Sequence, residues 1–207
     1  MSEHYFVRRP ESKLNLGLVR AYFRGRLFEF LTASGVFSRT RIDVGTRLLV
    51  ESMVLPERGL VLDLGCGYGP VGIAAAVFCP NLHVVMTDVN ERAVWLAKEN
   101  AKRNGVENVE FKKGFLYEPV RDMRFDVVLS NPPISAGMKT VQPLIKHAPR
   151  HLANEGTLQI VVRSKVSGKR LAKLMTETFG NVTVLARRSG HRVLISKAIK
   201  HGALSRL

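Results

Sequence analysis

The chain has 207 residues, enough for one α/β domain with a substantial core and short for two full ones. Hydrophobic residues make up 45% of it, which excludes a disordered chain, and no run approaches the ~20 apolar residues a membrane span requires. A formal charge of +15 calls for an explanation, and a polyanionic partner supplies one.

The charge is segregated along the chain. Residues 1–50 carry nine Lys/Arg against four Asp/Glu, residues 51–138 nine against eleven, and residues 139–207 fourteen against two. The basic excess lies outside the middle, which a partner surface explains better than uniform solvation. The two cysteines, Cys66 and Cys79, have no paired spacing of the kind that builds a zinc site or a disulfide framework. No metal is expected, and a reducing cytoplasm is the expected location. The first ten residues are too polar and charged for a signal peptide, so neither secretion nor a membrane partner is expected.

In chain order, residues 1–55 read as an N-terminal cap within the same domain, 56–199 as the core and 200–207 as a basic tail. The cap holds aromatic-rich short strands around 27–33, then Gly35-Val36-Phe37-Ser38, then a helix from near Asp43 to Met53. Beyond residue 56, short β-branched runs alternate with helix-period segments, the signature of a parallel sheet with crossover helices. Strands are predicted at 60–64, 84–88, 109–113, 125–130, 158–163, 182–186 and 192–196, and helices at 71–78, 91–104, 139–152 and 168–179. No helical pattern separates the last two strands. A short polar stretch containing Ser189-Gly190 joins them, so they should form an antiparallel hairpin at one edge of a seven-stranded α/β sheet.

After the first of these strands comes Asp63-Leu64-Gly65-Cys66-Gly67-Tyr68-Gly69-Pro70, followed directly by a helix. Glycines let the backbone turn sharply and approach a ligand, while the helix N-terminus offers free N–H groups. The segment reads as a cofactor loop. Gly67, Gly69 and Gly72 also satisfy G-x-G-x-x-G, and Asp88 lies 21 residues past Gly67, where a dinucleotide-binding fold would hold a ribose. Asp63 argues against a dinucleotide. Two residues before the first glycine, its carboxylate would repel a pyrophosphate but could pair with an α-amino group. Asp88 would accept hydrogen bonds from adenosine ribose hydroxyls in either case.

The second chemical segment is Asn131-Pro132-Pro133-Ile134, immediately after a strand. Two prolines remove backbone donors and fix φ, presenting rigid carbonyls at the edge where ligands of open α/β sheets bind. The Pro132 carbonyl and the Asn131 side-chain oxygen can accept both hydrogens of an NH₂ group. Such an amine is a poor nucleophile because its lone pair is delocalised, and acceptors aimed at its hydrogens orient it for methyl transfer. These residues alone do not choose among guanine N2, adenine N6, cytosine N4 and a glutamine amide.

With those residues in hand, the chain resembles class I S-adenosylmethionine-dependent methyltransferases over about residues 27–196, and specifically the small-domain branch containing small-subunit ribosomal RNA guanine-N2 methyltransferases. The resemblance rests on Gly35 to Ser38, Asp43-Val44-Gly45-Thr46, the Asp63 to Gly69 loop, Asp88 and Asn131 to Ile134, all in the family's order. It implies a Rossmann-like, mostly parallel seven-stranded sheet whose last strand is antiparallel. It implies S-adenosylmethionine held by Asp63, Gly65, Cys66, Gly67 and Gly69, by Asp88 with Val89 and Asn90, and by Asn131. It further implies a target amine gripped by Asn131, Pro132, Pro133 and Ile134, with Phe37, Ser38, Arg39, Asp43 and Thr46 on the substrate side.

Two departures bear on specificity. Many relatives carry an acidic residue after the third strand for the adenine amine, where this chain has Gly114-Phe115-Leu116; Phe115 can pack on the adenine face while the Leu116 N–H bonds the ring. The fourth motif position, often aromatic in enzymes that stack a flipped adenine, is Ile134, which leaves Phe37 as the stacking candidate. The implied partner is RNA, ribosomal first and transfer RNA second, with the oligomeric state open. Glutamine-N5 methylation of protein and a non-catalytic RNA-binding module of the same fold are the alternatives. His147, His151 and His191 share no metal-ligand spacing and read as surface or capping residues.

Overall fold

Long apolar runs such as Leu82–Asp88 and Phe125–Ser130 are buried along nearly their whole length, as strands covered on both faces by helices must be. The computed structural model describes residues 12–133 and 137–199, with the backbone alone at Lys165 and Val166. Its elements in order are β1 Leu16–Phe23, β2 Arg26–Ala33, α1 Val44–Ser52, β3 Gly59–Leu64, α2 Pro70–Phe78, β4 Leu82–Asp88, α3 Glu91–Arg103, β5 Val109–Lys113, β6 Phe125–Ser130, α4 Met138–His151, β7 Leu152–Arg163, α5 Lys169–Phe179, β8 Thr183–Arg188 and β9 His191–Lys197.

Seven strands form one sheet in the order β5-β4-β3-β6-β7-β9-β8. The first five of that order run parallel, while β9, last in the chain, is antiparallel to both β7 and β8. The chain works outward from β3 to β5 in one direction and from β6 to β8 in the other. A crevice therefore opens at the carboxyl ends of β3 and β6, where the topology switches. One face is covered by α1, α2 and α3 over Val61, Val84, Met86, Leu129 and Val193. The other is covered by α4 and α5 over Leu62, Val85, Val128, Ile160 and Leu194. Among the described residues no helix is long and apolar enough to cross a membrane.

The antiparallel pair β1–β2 stands outside that sheet and packs against α2 and α3 through Phe23, Phe28 and Phe30, all fully buried. Phe28 and Phe30 stack with centroids 6.0 Å apart. The free edge of β2 is closed by side chains. Asn100 on α3 accepts from Leu31 N (2.6 Å) and donates to Leu31 O (2.9 Å), and Asn104 does the same at Glu29 (3.2 and 2.8 Å). Two amides four residues apart on a helix thus satisfy backbone groups that an edge strand would leave to water.

Three local features differ from the sequence reading. β1 is an additional strand, and Gly35 to Ser38 forms a turn. β7 begins at Leu152, directly off the end of α4, and its carboxyl end passes into a π-helical turn, Ser164–Gly168, before α5.

Candidate active site

The loop leaving β3 is held open by its own backbone. Gly65 (φ 76°) and Gly67 (φ 57°) are left-handed, and a Cβ on either would stand in open space facing the crevice. The Gly65 and Cys66 amides both donate to Thr87 O at 2.9 Å, stapling the loop to the end of β4. Asp88 finishes the bracing: Oδ2 accepts from Gly67 N and Oδ1 from Asn90 N, each at 2.9 Å. Fixed in this way, each carboxylate oxygen keeps a lone pair for an incoming hydroxyl. Burial pushes the Asp88 carboxyl above its ordinary value in spite of those amides.

Asp63 sits at the end of β3, fully buried, and its Oδ2 accepts from Gly72 N at 2.8 Å in the first turn of α2. A carboxylate there complements the positive end of the helix, which has no side-chain cap of its own. Burial outweighs this contact, and the nearby Asp88 charge adds to it, so the Asp63 carboxyl is pushed up to about 7. Burial and the same two carboxylates raise the Cys66 thiol, keeping it protonated and unreactive.

Across the crevice a different device operates. Asn131 follows β6, and its Nδ2 donates to Asp43 Oδ2 (3.2 Å) and Thr46 Oγ1 (2.9 Å). Asp43 is also the N-cap of α1, its Oδ2 accepting from Gly45 N (2.8 Å) and Thr46 N (3.2 Å). A carboxylate can only accept, so the NH₂ end of the Asn131 amide must face it. The carbonyl oxygen then points the other way, and no described residue donates to it. Ser130 Oγ, donating to Leu64 O at 2.7 Å, ties the end of β6 to that of β3 and fixes the two halves relative to each other. Between them lies a cavity of about 380 Å³, within the range of small-molecule sites.

The cavity brings together Asp63, Gly65, Cys66, Gly67, Asp88 and Val89 on one side. Phe115 and Leu116 form its floor beyond β5. Phe37, Asp43, Thr46, Asn131, Pro132 and Pro133 line the other side. Gly69 lies behind the wall as the left-handed N-cap of α2 (φ 96°), where a Cβ would meet Ile73, Met86 and Ala97. Asn90 is wholly buried; it caps α3 and donates to Gly35 O at 2.8 Å, holding the turn that carries Phe37. Ser38 and Arg39 do not reach the cavity: Ser38 Oγ bonds Arg41 O, and Arg39 O accepts from Thr32 Oγ1 at 2.8 Å. Ile134 falls outside the described residues.

Sequence reasoning missed Tyr68, Arg163 and His191, which also line the cavity. Burial and the Asp43 charge hold the Tyr68 hydroxyl in its neutral form. His191 was legible in principle. In an antiparallel neighbour of parallel strands, the first residue of the strand lies at their carboxyl ends, where the crevice opens.

A family model described as "Methyltransferase small domain" matches residues 27–195. The uncharacterized protein YbxB of Bacillus subtilis is 38% identical over 201 residues, 96% of this chain and 100% of that protein. Ribosomal RNA small subunit methyltransferase C of Escherichia coli is 35% identical over 178 residues, 83% of this chain and 50% of that protein. Among solved structures, the 16S rRNA N2 G1207 methyltransferase RsmC of T. thermophilus, in complex with AdoMet and guanosine, superposes with a TM-score of 0.80 at 25% identity. That match covers 91% of this chain and 52% of the other, so this chain spans about half the length of its RsmC relatives. With the loop at the carboxyl ends of β3 and β4, these matches define the protein as an S-adenosylmethionine-dependent methyltransferase. Within that class it belongs to the methyltransferase small domain family.

The residues present fit the cofactor. Gly65 and Gly67 form a cradle that a Cβ would fill, Asp63 is a buried carboxylate with no cation beside it among the described residues, and Asp88 is a rigid double acceptor. An amino-acid head beside Asp63 and a ribose beside Asp88 would satisfy both carboxylates.

Proposed function

We propose that the protein methylates the exocyclic N2 amine of guanine in structured RNA, small-subunit ribosomal RNA first and transfer RNA second. The observation that carries this reading is the clamped Asn131 amide. Asp43 and Thr46 hold its nitrogen, leaving its oxygen beside Pro132 as an acceptor for an NH₂ group in the cavity. S-adenosylmethionine supplies a methyl group on a positively charged sulfur. Asn131 Oδ1 and the Pro132 carbonyl orient the amine, and by accepting its hydrogens they favour a more pyramidal nitrogen whose lone pair attacks the methyl carbon as the carbon–sulfur bond breaks. The nitrogen then releases one proton to solvent, so no protein base is needed. Asp63 and Asp88 anchor the two ends of the cofactor and take no part in the bond changes.

Guanine is favoured because the T. thermophilus RsmC structure holds guanosine with AdoMet on the same fold at 25% identity. A guanine within a helix must leave its stack to reach such a cavity, so a loop, bulge or loosened junction is the expected target. With ribosomal RNA as substrate, the working compartment is the cytoplasm. The test is transfer of a labelled methyl group to total RNA, DNA and protein, followed by nucleoside digestion and mass spectrometry. N2-methylguanosine is expected; N6-methyladenosine, or labelled protein with no modified guanosine, overturns the reading.

A further inference from the structure

Several arginines of the described structure have a partner within the protein. Arg20 and Arg103 bond Glu29, Arg24 donates to Met53 O at 2.9 Å and lies over Phe78, Arg47 donates to Tyr22 O at 2.7 Å, and Arg124 donates to Arg150 O at 2.8 Å. One corner gathers three exposed arginines close together. Arg163, Arg187 and Arg188 are exposed, and no described carboxylate lies within ion-pair distance of them. The acidic residues of this part of the chain are committed elsewhere, Glu155 to Lys197 and Glu177 to Lys173.

The strand register puts these arginines in line. Arg163 of β7 is directly opposite His191 of β9, and His191 is opposite Arg188 of β8. Directly paired residues share a face, and residues two apart on one strand share it too. Val161 and Val193 belong to the α1 side of the core, so Arg163, His191 and Arg188 form a row on that side. At its inner end Arg163 and His191 line the cavity; at its outer end Arg188 stands on the edge strand, two strand spacings or about 9.5 Å away. On the opposite face Arg187 is paired with Arg192, whose Nε donates to Ser164 Oγ at 3.1 Å.

This corner carries two electrostatic costs that no described carboxylate relieves. Like charges directly opposite each other across strands destabilise a sheet, as Arg187 and Arg192 do here. The first turn of α5 holds Lys169 and Arg170 and no acidic residue, placing cations at the positive end of the helix. The two sites adjoin: a Cβ at Gly168, just before α5, would lie 3.4 Å from Arg192 Nε. Both costs lie on the α5 face, behind the row, and add to the positive potential of this corner.

We propose that the row Arg163–His191–Arg188, with Arg187 on the other face of the same edge strand, is a phosphate track that lays a single-stranded segment of RNA from the cavity mouth across β9 and over the β8 edge. The proposal rests on RNA being the substrate. Its geometry puts backbone phosphates on the row while the nucleotide beside Arg163 turns its base into the cavity. The track would position the strand without reading its sequence, since phosphate contacts carry no sequence information.

The test uses the whole chain and a labelled stem-loop RNA with guanines in its loop, titrated over a range of salt. The R163Q/R187Q/R188Q variant is expected to lower RNA affinity on the order of tenfold and to flatten the slope of log affinity against log salt by about 2, the loss for three neutralised phosphates on a single strand. The R20Q/R103Q variant, on the β1–β2 side, should leave slope and affinity alone. A wild-type thermal unfolding transition shows that each variant is folded. A wild-type slope kept in the triple variant overturns the track while leaving RNA as the substrate. Wild-type protein with no salt-dependent RNA affinity overturns the substrate reading, and the track with it.

Discussion

The two walls of the cavity are built in opposite ways. The cofactor wall is made largely of backbone from two adjacent loops, 63–67 and 87–89, with glycines removing side chains and carboxylates braced by amides. The amine wall joins the turn carrying Phe37 and the start of α1 to the segment after β6, and its central residue is aimed by partners 85 and 88 positions away. A wall of backbone holds its shape when one side chain is lost. A wall of aimed side chains does not, so the two should fail differently when cut.

The largest effect is expected at Asn131. Asn131→Ala should lower kcat about 10²- to 10³-fold, the scale of a lost electrostatic contact in a transition state, with S-adenosylmethionine affinity nearly unchanged by calorimetry. Loss of affinity on a similar scale would mean the two walls are not separable. Next is Asp88→Ala, which removes two charge-assisted hydrogen bonds of about 1.5–3 kcal/mol each and should weaken cofactor binding at least about tenfold. Unchanged affinity would remove Asp88 from the site.

Asp63 sharpens the comparison through pH. Its carboxyl, ordinarily at 3.8, is held at about 7, so the folded protein favours the protonated form. Ionisation therefore weakens the ligand-free fold as pH rises from about 4 toward 7, and the loss is complete above 7. Ligand binding has the opposite sense. A cofactor ammonium needs the carboxylate, so affinity should be full above about pH 7 and fall roughly tenfold per unit below it. Titration calorimetry across that range checks this, and Asp63→Asn should flatten the profile; an unaltered profile would sink the pairing. The smallest effect is expected for Thr46→Val, which removes one of two acceptors holding the Asn131 amide. A net loss of about 1 kcal/mol predicts roughly a fivefold fall in kcat with binding intact.

Legibility in the sequence followed the same division. The cofactor wall could be read because its chemistry is local: glycines, a strand before, a helix after. Asp43 and Thr46 were noticed as part of a pattern, but nothing in the sequence says that they grip an amide following a strand in the other half of the sheet. His191 read as a surface residue because only the strand order brings it to the cavity. The hairpin of the last two strands was readable from the Ser189-Gly190 turn and the missing helix, but not that its second strand is the one beside β7. β1 was missed because its apolar residues lie on both faces, with Leu16, Leu18 and Tyr22 exposed and Val19, Ala21 and Phe23 buried, so no alternation shows. The start of β7 was hidden by Asn154, Glu155 and Gly156, which read as a turn; Glu155 does adopt a positive φ of 65° within the strand.

The amides of Asn100 and Asn104 have a consequence for the order in which the chain acquires its structure. A two-stranded hairpin alone is marginal in water, and β1–β2 relies on α3 to close its edge and cover Phe23, Phe28 and Phe30. During synthesis the hairpin emerges some seventy residues ahead of the helix that completes it. At ~5–20 residues per second it waits several seconds for α3, while α2, its other partner, emerges earlier. Asn100 also donates to Tyr68 O at 2.8 Å, so the helix docks the hairpin and braces the glycine loop through the same side chain. The docking of the earliest strands and the bracing of the loop are thus tied to one side chain.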